Sequence, residues 1–114
     1  MRKGKHIILD CFNVPEDLCL SDRRLLEAGV HAANASGATI INTMRYRFGA
    51  ESPPGCAVII MLDESHISIH TYADPGVMAI DVFVCGKADA RLITEELKSQ
   101  LRISNYTENE IERF

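Results

Sequence analysis

The chain has 114 residues and a formal net charge of -4, and this length suits a single domain. Its hydrophobic fraction of 46% and charged fraction of 25% are ordinary for a globular protein. The acidic balance argues against a broad nucleic-acid-binding surface, as do four phenylalanines and three tyrosines that are not interleaved with Lys and Arg.

Cysteine spacing and hydropathy narrow the cellular context. The four cysteines form no CxxC pair, so the sequence predicts neither a structural zinc site nor a disulfide framework. The basic segment 1–6 leads into only three apolar residues, too few for a signal peptide core. The longest apolar run, 56–62, is far shorter than the roughly 18 residues that a membrane span needs. We therefore expect a soluble, cytoplasmic protein with reduced thiols and no metal, membrane or nucleic-acid partner.

The first predicted unit is a strand followed by a helix. Residues 6–12 are apolar and bounded by Gly4 and Pro15, which favours a buried strand. Ser21 or Asp22 can cap the following helix, and Gly37 closes it. Apolar residues recur in it at helical spacing: Leu25, Leu26, Val30 and Ala33.

Four strands and a second helix are predicted to follow. β-branched residues indicate a strand over 38–48, and Gly and Pro in 49–55 indicate a loop. The next three predicted strands are 56–62, 65–72 and 77–85. Their short links predict antiparallel pairing. A helix over about 89–101 follows, and the polar tail 104–114 is predicted to be loose or docked on a partner.

The order β-α-β-β-β-β-α predicts the fold class. It indicates an α+β protein, a two-layer α/β sandwich with a mostly antiparallel sheet and helices on one face. No repeat or linker interrupts the chain, so we expect one domain over 1–114.

One predicted strand carries a cluster of polar residues inside an apolar region. Ile67 and Ile69 are predicted to face the core. The polar residues that alternate with them, and so face the other side, are His66, Ser68 and His70. On a strand the two histidines lie about 13 Å apart at roughly 3.3 Å per residue, too far to share a zinc ion with bonds of about 2 Å.

Ser65 lies between Glu64 and these histidines. A serine with a carboxylate and imidazoles nearby can act as a nucleophile. A Ser-His hydrolase with His70 as the base is one interpretation. The surrounding sequence lacks the Gly-x-Ser-x-Gly elbow that exposes such a serine. The local pattern leaves two alternatives open, an ordinary surface strand and a serine directed at its own backbone.

Two longer blocks carry a family resemblance. Segments Glu64–Tyr72 and Ala79–Gly86 closely resemble the short prokaryotic S-adenosylmethionine decarboxylase proenzymes. The similarity extends through Gly4–Asp10, Ser36–Asn42 and the pair Arg47-Phe48, so it covers about residues 4 to 101.

The resemblance implies that the chain cuts itself between Glu64 and Ser65. The products would be a β chain of residues 1–64 and an α chain of residues 65–114. The Ser65 hydroxyl would attack the preceding carbonyl to give an ester, and β-elimination and hydrolysis would leave a pyruvoyl group with loss of ammonia. In the family this pyruvate-derived cofactor forms a Schiff base with the substrate amine and acts as an electron sink.

The same resemblance implies two catalytic side chains besides Ser65. His70 would abstract the Cα proton in the elimination step, a task that suits a base with a near-neutral pKa. Cys85 would return a proton to the substrate's α-carbon after decarboxylation. The other cysteines are expected to be small core residues.

The resemblance also implies substrate-binding residues. Phe48 resembles the aromatic residue that stacks on adenine, and Asp10 and Asp74 occupy positions where the family usually has glutamates. The Asp74 position is associated with the ribose hydroxyls. The implied substrate is S-adenosylmethionine, the implied pathway is spermidine biosynthesis, and the implied assembly is a homodimer.

The chain departs from the family pattern at three places. Ala57 stands eight residues before Ser65, where a serine usually helps to position the ester, and the neighbouring Cys56 or a water is a candidate substitute. The loop after Phe48 is longer than usual, and Ala73-Asp74 replaces a Pro-Glu pair. These changes leave two alternatives: decarboxylation of another amino acid such as arginine or ornithine, and an uncleaved, non-catalytic homologue.

Overall fold

The computed structural model describes residues 3–114 and shows a single six-stranded antiparallel sheet. The strands are β1 Gly4–Cys11, β2 Ile40–Arg47, β3 Gly55–Leu62, β4 Ser65–Tyr72, β5 Val77–Cys85 and β6 Tyr106–Arg113. Their spatial order is β2-β3-β4-β5-β1-β6. The helices are α1 Glu16–Cys19, α2 Asp22–Ala35 and α3 Ala90–Leu101.

The helices α2 and α3 cover one face of the sheet, because alternate strand residues turn apolar side chains towards them. In β4, Ile67 and Ile69 are fully buried on this face. From the helix side, Leu25 of α2 and both Ile93 and Leu97 of α3 complete the same core. The predicted fold class, an α+β two-layer sandwich with helices on one face, is confirmed.

Side-chain caps fix where the two long helices begin. Ser21 Oγ accepts a hydrogen bond from the Arg24 N–H over 3.2 Å, so Ser21 rather than Asp22 caps α2. Asp89 Oδ1 accepts from the N–H groups of Arg91 and Leu92 at the start of α3. These caps satisfy N–H groups that would otherwise lack partners in the first turn of each helix.

The other face of the sheet carries no helix, and we call it the open face. Half-buried polar side chains of β4 lie here, as the alternation predicts: His66, Ser68 and His70. Large exposed apolar side chains lie towards its β2–β3 edge: Met44, Tyr46, Ile59 and Met61. An antiparallel sheet tolerates a solvated face, but clustered apolar groups are typical of a surface that packs against something.

Two features differ from the sequence-based prediction. The tail is not loose, because residues Tyr106–Arg113 form the edge strand β6 and pair with β1 along its whole length. Every β6 side chain is exposed. The sequence of this segment therefore lacks the alternation of apolar and polar residues that predicts a half-buried strand. A one-turn helix, α1, also interrupts the predicted link before α2.

In the described chain, 3–114, no helix is long and apolar enough to cross a bilayer.

Candidate functional site

The link between β3 and β4 consists of Asp63 and Glu64 alone, so it reverses the chain within two residues. Ser65 is the first residue of β4 and is only 8% exposed. Its side chain lies on the same side of the strand as the core isoleucines, away from the open face. The predicted scissile bond therefore sits at a tight hairpin end, with the serine sheltered.

The hydroxyl of Ser65 is held by the main chain of Cys85. The Cys85 N–H donates to Ser65 Oγ over 3.1 Å, and the hydroxyl lies 3.4 Å from the Cys85 carbonyl oxygen, to which it donates. These contacts arise because β5 ends beside the start of β4. The structure thus brings together the two residues that the sequence places twenty positions apart.

The side chain of Cys85 points to the open face. It is half-buried beside Gly4, where an added methyl group would lie 3.2 Å from Sγ. The lack of a side chain at Gly4 therefore keeps space next to the thiol. The thiol therefore borders the open face without being fully buried.

The other three cysteines are buried among apolar side chains. Burial raises the pKa of the Cys11 thiol to about 11 and also raises the pKa values of Cys19 and Cys56. Their positions agree with the prediction that they are core residues.

His70 lies apart from Ser65. His70 is five positions along β4 from Ser65, about 16 Å at roughly 3.3 Å per residue, and the imidazole projects from the opposite face of the sheet. Its cross-strand neighbours are Ala57 on β3 and Ala79 on β5, both too small to cover it. Within one chain the structure does not bring His70 to the predicted scissile bond.

Ala57 lies next to His70 and not next to Ser65. The two are paired directly across β3 and β4 on the open face. The neighbouring Cys56 is fully buried on the helix-covered face. Within one chain Cys56 is paired with Thr71, at the opposite end of the hairpin from Ser65, so its suggested role stays a prediction without support from this geometry.

The predicted substrate-binding residues cluster at the His70 end of the sheet. Asp10 lies in the same cross-strand row as His70, with Ala79 between them. Asp10 and Tyr72 line an apolar pocket of about 240 Å³. The ring of Phe48 lies 5.9 Å from that of Tyr72. Asp74 is exposed in the turn that follows β4.

The site residues therefore form two groups. The Ser65 cluster contains Glu64, Ser65 and Cys85, and the His70 cluster contains Asp10, Phe48, His70, Tyr72 and Asp74. They lie at opposite ends of the central strands. Each group holds only part of the predicted machinery.

Sequence reasoning missed an open-face group around Phe83. His6 Nε2 lies 2.9 Å from Asp81 Oδ1, and the rings of His6 and His66 lie 6.1 and 5.8 Å from that of Phe83. The guanidinium of Arg113 lies 5.5 Å from the centre of the same ring. These residues come from four strands, so only the strand order could assemble them.

The surface beside the scissile bond is charged. Asp63 and Glu64 line an open recess of about 730 Å³ together with Lys3 and Lys87. The lysines balance the two carboxylates at the hairpin tip. A substrate or chain terminus at this position would meet both signs of charge.

Structural comparison identifies the general class. The chain matches the crystal structure of the adenosylmethionine decarboxylase from Aquifex aeolicus VF5 with a TM-score of 0.85. The sequences are 28% identical, and the match covers 98% of this chain and 91% of that one. This sandwich with one open sheet face is therefore the architecture of a known decarboxylase.

Sequence comparison identifies the family. The family model described as S-adenosylmethionine decarboxylase matches residues 5–114. The chain is 36% identical to the S-adenosylmethionine decarboxylase proenzyme of Brevibacillus brevis, over 87% of this chain and 73% of that protein. It is 45% identical to S-adenosylmethionine decarboxylase proenzyme 2 of Bacillus cereus, over 73% of this chain and 65% of that protein. The chain belongs to the S-adenosylmethionine decarboxylase family.

Proposed function

We propose that this chain cuts itself between Glu64 and Ser65 and then decarboxylates S-adenosylmethionine with the pyruvoyl group that Ser65 becomes. The observation that carries the proposal is the serine hydroxyl fixed at a hairpin end beside Cys85, in a member of this family. The product would serve spermidine biosynthesis.

Self-cleavage begins when Ser65 Oγ bonds to the carbonyl carbon of Glu64 and the Glu64–Ser65 amide bond breaks. The hydroxyl proton passes to the amide nitrogen, so an ester replaces the amide. Loss of the Ser65 Cα proton then expels the Glu64 carboxylate, which becomes the end of the β chain. Water adds to the remaining dehydroalanine and ammonia leaves, which yields the pyruvoyl group.

The residues around Ser65 fit this chemistry. The Cys85 N–H already binds Ser65 Oγ, so it fixes the direction of the nucleophile. The pyruvoyl carbonyl would take up the substrate amine and the electrons released as CO2 departs. The Cys85 thiol, on the open face, is the proposed donor of the proton that replaces CO2.

We further propose that the functional unit is a homodimer formed through the open face. The Ser65 cluster lacks the His70 imidazole, and the His70 cluster lacks the scissile bond. Two open faces stacked about 10 Å apart around a two-fold axis would bring the His70 cluster of one copy over the strand ends of the other where β4 begins at Ser65 and the Cys85 thiol faces the open side. The exposed side chains of Met44, Tyr46 and Met61 support such packing.

Substrate recognition is assigned to the His70 cluster. Phe48 and Tyr72 offer adjacent aromatic rings on which an adenine can stack. Asp74 offers a carboxylate at an exposed turn for the ribose hydroxyls, and Asp10 lines the neighbouring pocket. We also propose a cytoplasmic location, which suits a chain whose four cysteines show no disulfide spacing.

Two measurements test the proposal. Intact mass of the purified protein should show two fragments that meet at Glu64 and Ser65, and Ser65→Ala should leave one uncut chain. The cleaved protein should release CO2 from carboxyl-labelled S-adenosylmethionine. A protein that stays uncut would be the non-catalytic homologue. A cleaved protein that releases CO2 from arginine or ornithine but not from S-adenosylmethionine would be a decarboxylase of that amino acid.

A further inference from the structure

Glu64, the residue before the scissile bond, has a left-handed backbone conformation. Its φ is +64°, a region that side chains with a Cβ rarely adopt because the Cβ crowds the following carbonyl oxygen. A two-residue hairpin link commonly places glycine or asparagine at such a position. This chain instead has glutamate there, so its backbone is strained at the junction itself.

The hairpin is fixed on both sides of Glu64, so the strain cannot relax locally. Before it, Leu62 is 2% exposed, and the Asp63 N–H donates to the Thr39 carbonyl over 2.9 Å. After it, the Ser65 hydroxyl is held by the Cys85 main chain. Strain of this kind persists only where the surrounding structure over-determines the conformation.

We propose that the left-handed strain at Glu64 drives the acyl shift that begins self-cleavage. This inference rests on the proposed function. In the amide, one atom, the Ser65 nitrogen, joins the Glu64 carbonyl carbon to Ser65 Cα. In the ester, Ser65 Oγ and Cβ join the same two carbons, so the hairpin link lengthens and Glu64 can relax.

The acyl shift from amide to ester is unfavourable by itself. An ester is less stable than an amide, so the shift needs a compensating gain within the folded chain. Relief of the backbone strain supplies that gain without any new contact. The argument concerns the backbone of Glu64 and assigns no role to its carboxylate.

Two substitutions separate the backbone from the side chain. Glu64→Ala removes the carboxylate and keeps a Cβ, and therefore keeps the strain. Glu64→Gly removes both the carboxylate and the strain. We expect Glu64→Gly to cut itself about tenfold more slowly than Glu64→Ala. This is the change in rate expected when the free energy of one left-handed residue no longer favours the acyl shift. Glu64→Asn, which tolerates this conformation better than alanine, should fall between them.

The rates come from intact-mass measurements at successive times after synthesis of the precursor. Equal rates for the alanine and glycine variants, or faster cleavage of the glycine variant, would overturn the proposal. Because both variants lack the carboxylate, a loss of side-chain interactions affects them alike.

A second pair of variants measures the strain without cleavage. In a Ser65→Ala background, Glu64→Gly should unfold at a higher temperature than Glu64→Ala, because only alanine pays the conformational cost. The opposite order would refute the strain itself. If the strain is measured here but wild-type protein never cleaves, the proposed function fails instead.

Discussion

Ser65 is joined to Cys85 through the main chain of Cys85 rather than through its thiol. The Cys85 N–H binds Ser65 Oγ, while Sγ projects to the open face beside Gly4. In the proposed function, self-cleavage and substrate protonation therefore use different atoms of one residue. Substitution of the side chain should separate the two steps.

Cys85→Ala should still cut itself, because alanine keeps the N–H that orients Ser65. It should release CO2 at least about 100-fold more slowly, because a general acid is lost. Intact mass measures the first step, and labelled S-adenosylmethionine measures the second. Cys85→Ser, which restores a weaker acid of similar size, should recover part of the rate. Wild-type CO2 release by the alanine variant would contradict the assigned role.

The four thiols should differ sharply in reactivity with iodoacetamide at pH 7. Cys85 is half-buried at a strand end, whereas the others are buried in the core. Because burial raises the pKa of Cys11 to about 11, only about one thiol in 10,000 is ionised at that pH. Mass spectrometry should find one modified cysteine in the folded protein.

Urea supplies the control for this experiment, because all four thiols should react once the chain unfolds. Rapid modification of Cys11, Cys19 or Cys56 in the folded protein would show that the core is less closed than the structure indicates.

At the scale of elements, the edge strand β6 is attached to the fold by its pairing with β1 and by ion pairs to α3. The glutamates of β6 that face the helices bind cations of α3. Arg91 holds Glu110 with two hydrogen bonds of 2.7 Å, and Lys98 lies 3.0 Å from Glu108. An edge strand with charged side chains also resists pairing with other chains.

The hydrogen bonds from Arg91 lower the pKa of Glu110 from 4.5 to about 2. The stabilising effect of the pair is therefore complete above pH 4.5 and disappears as the pH falls towards 2. Glu110→Gln should lower the unfolding temperature slightly at pH 7, since both groups are partly exposed, and have less effect at pH 3. Thermal unfolding at the two pH values measures the difference.

Glu112 provides a matched control on the same strand. It lies on the same side of β6 and makes no ion pair with any of residues 3–114. Glu112→Gln should leave the unfolding temperature almost unchanged at both pH values. A pH-independent loss in Glu110→Gln would mean that packing, rather than charge, attaches the strand.

At the scale of the whole molecule, the long central strands separate the two halves of the candidate site. Ser65 and His70 lie on one strand but differ in face and are about 16 Å apart. Bending β4 to join them would break its pairing with β3 and β5. A second copy is the simplest physical means of completing the site.

Coexpression of two inactive chains tests this arrangement. Ser65→Ala lacks the nucleophile and His70→Ala lacks the proposed base, so neither should cut itself efficiently alone. In a mixed dimer, Ser65 of the His70→Ala chain would meet His70 of the other chain. We expect the His70→Ala chain to be cut in the mixture, measured by intact mass. No rescue in a demonstrated mixed dimer would place the base within the same chain.

The sequence alone was sufficient to predict most elements of the fold. Alternation in β4 predicted which side chains face the core, and the short links predicted antiparallel strands. The order of the predicted elements indicated the fold class, and the resemblance of Glu64–Tyr72 and Ala79–Gly86 to a known family predicted the family. Strand β6 was not predicted because all of its side chains are exposed, and its sequence therefore shows no alternation between buried and exposed residues.

Only the tertiary structure decided how the site residues are distributed. Strand register places Cys85 beside Ser65, places Ala57 beside His70, and keeps the two pairs at opposite ends of the sheet. Sequence spacing cannot reveal this, because contacts between strands depend on which strands are neighbours and how they are aligned. The left-handed conformation of Glu64 likewise arises from the two-residue hairpin and its fixed flanks, which only the folded chain displays.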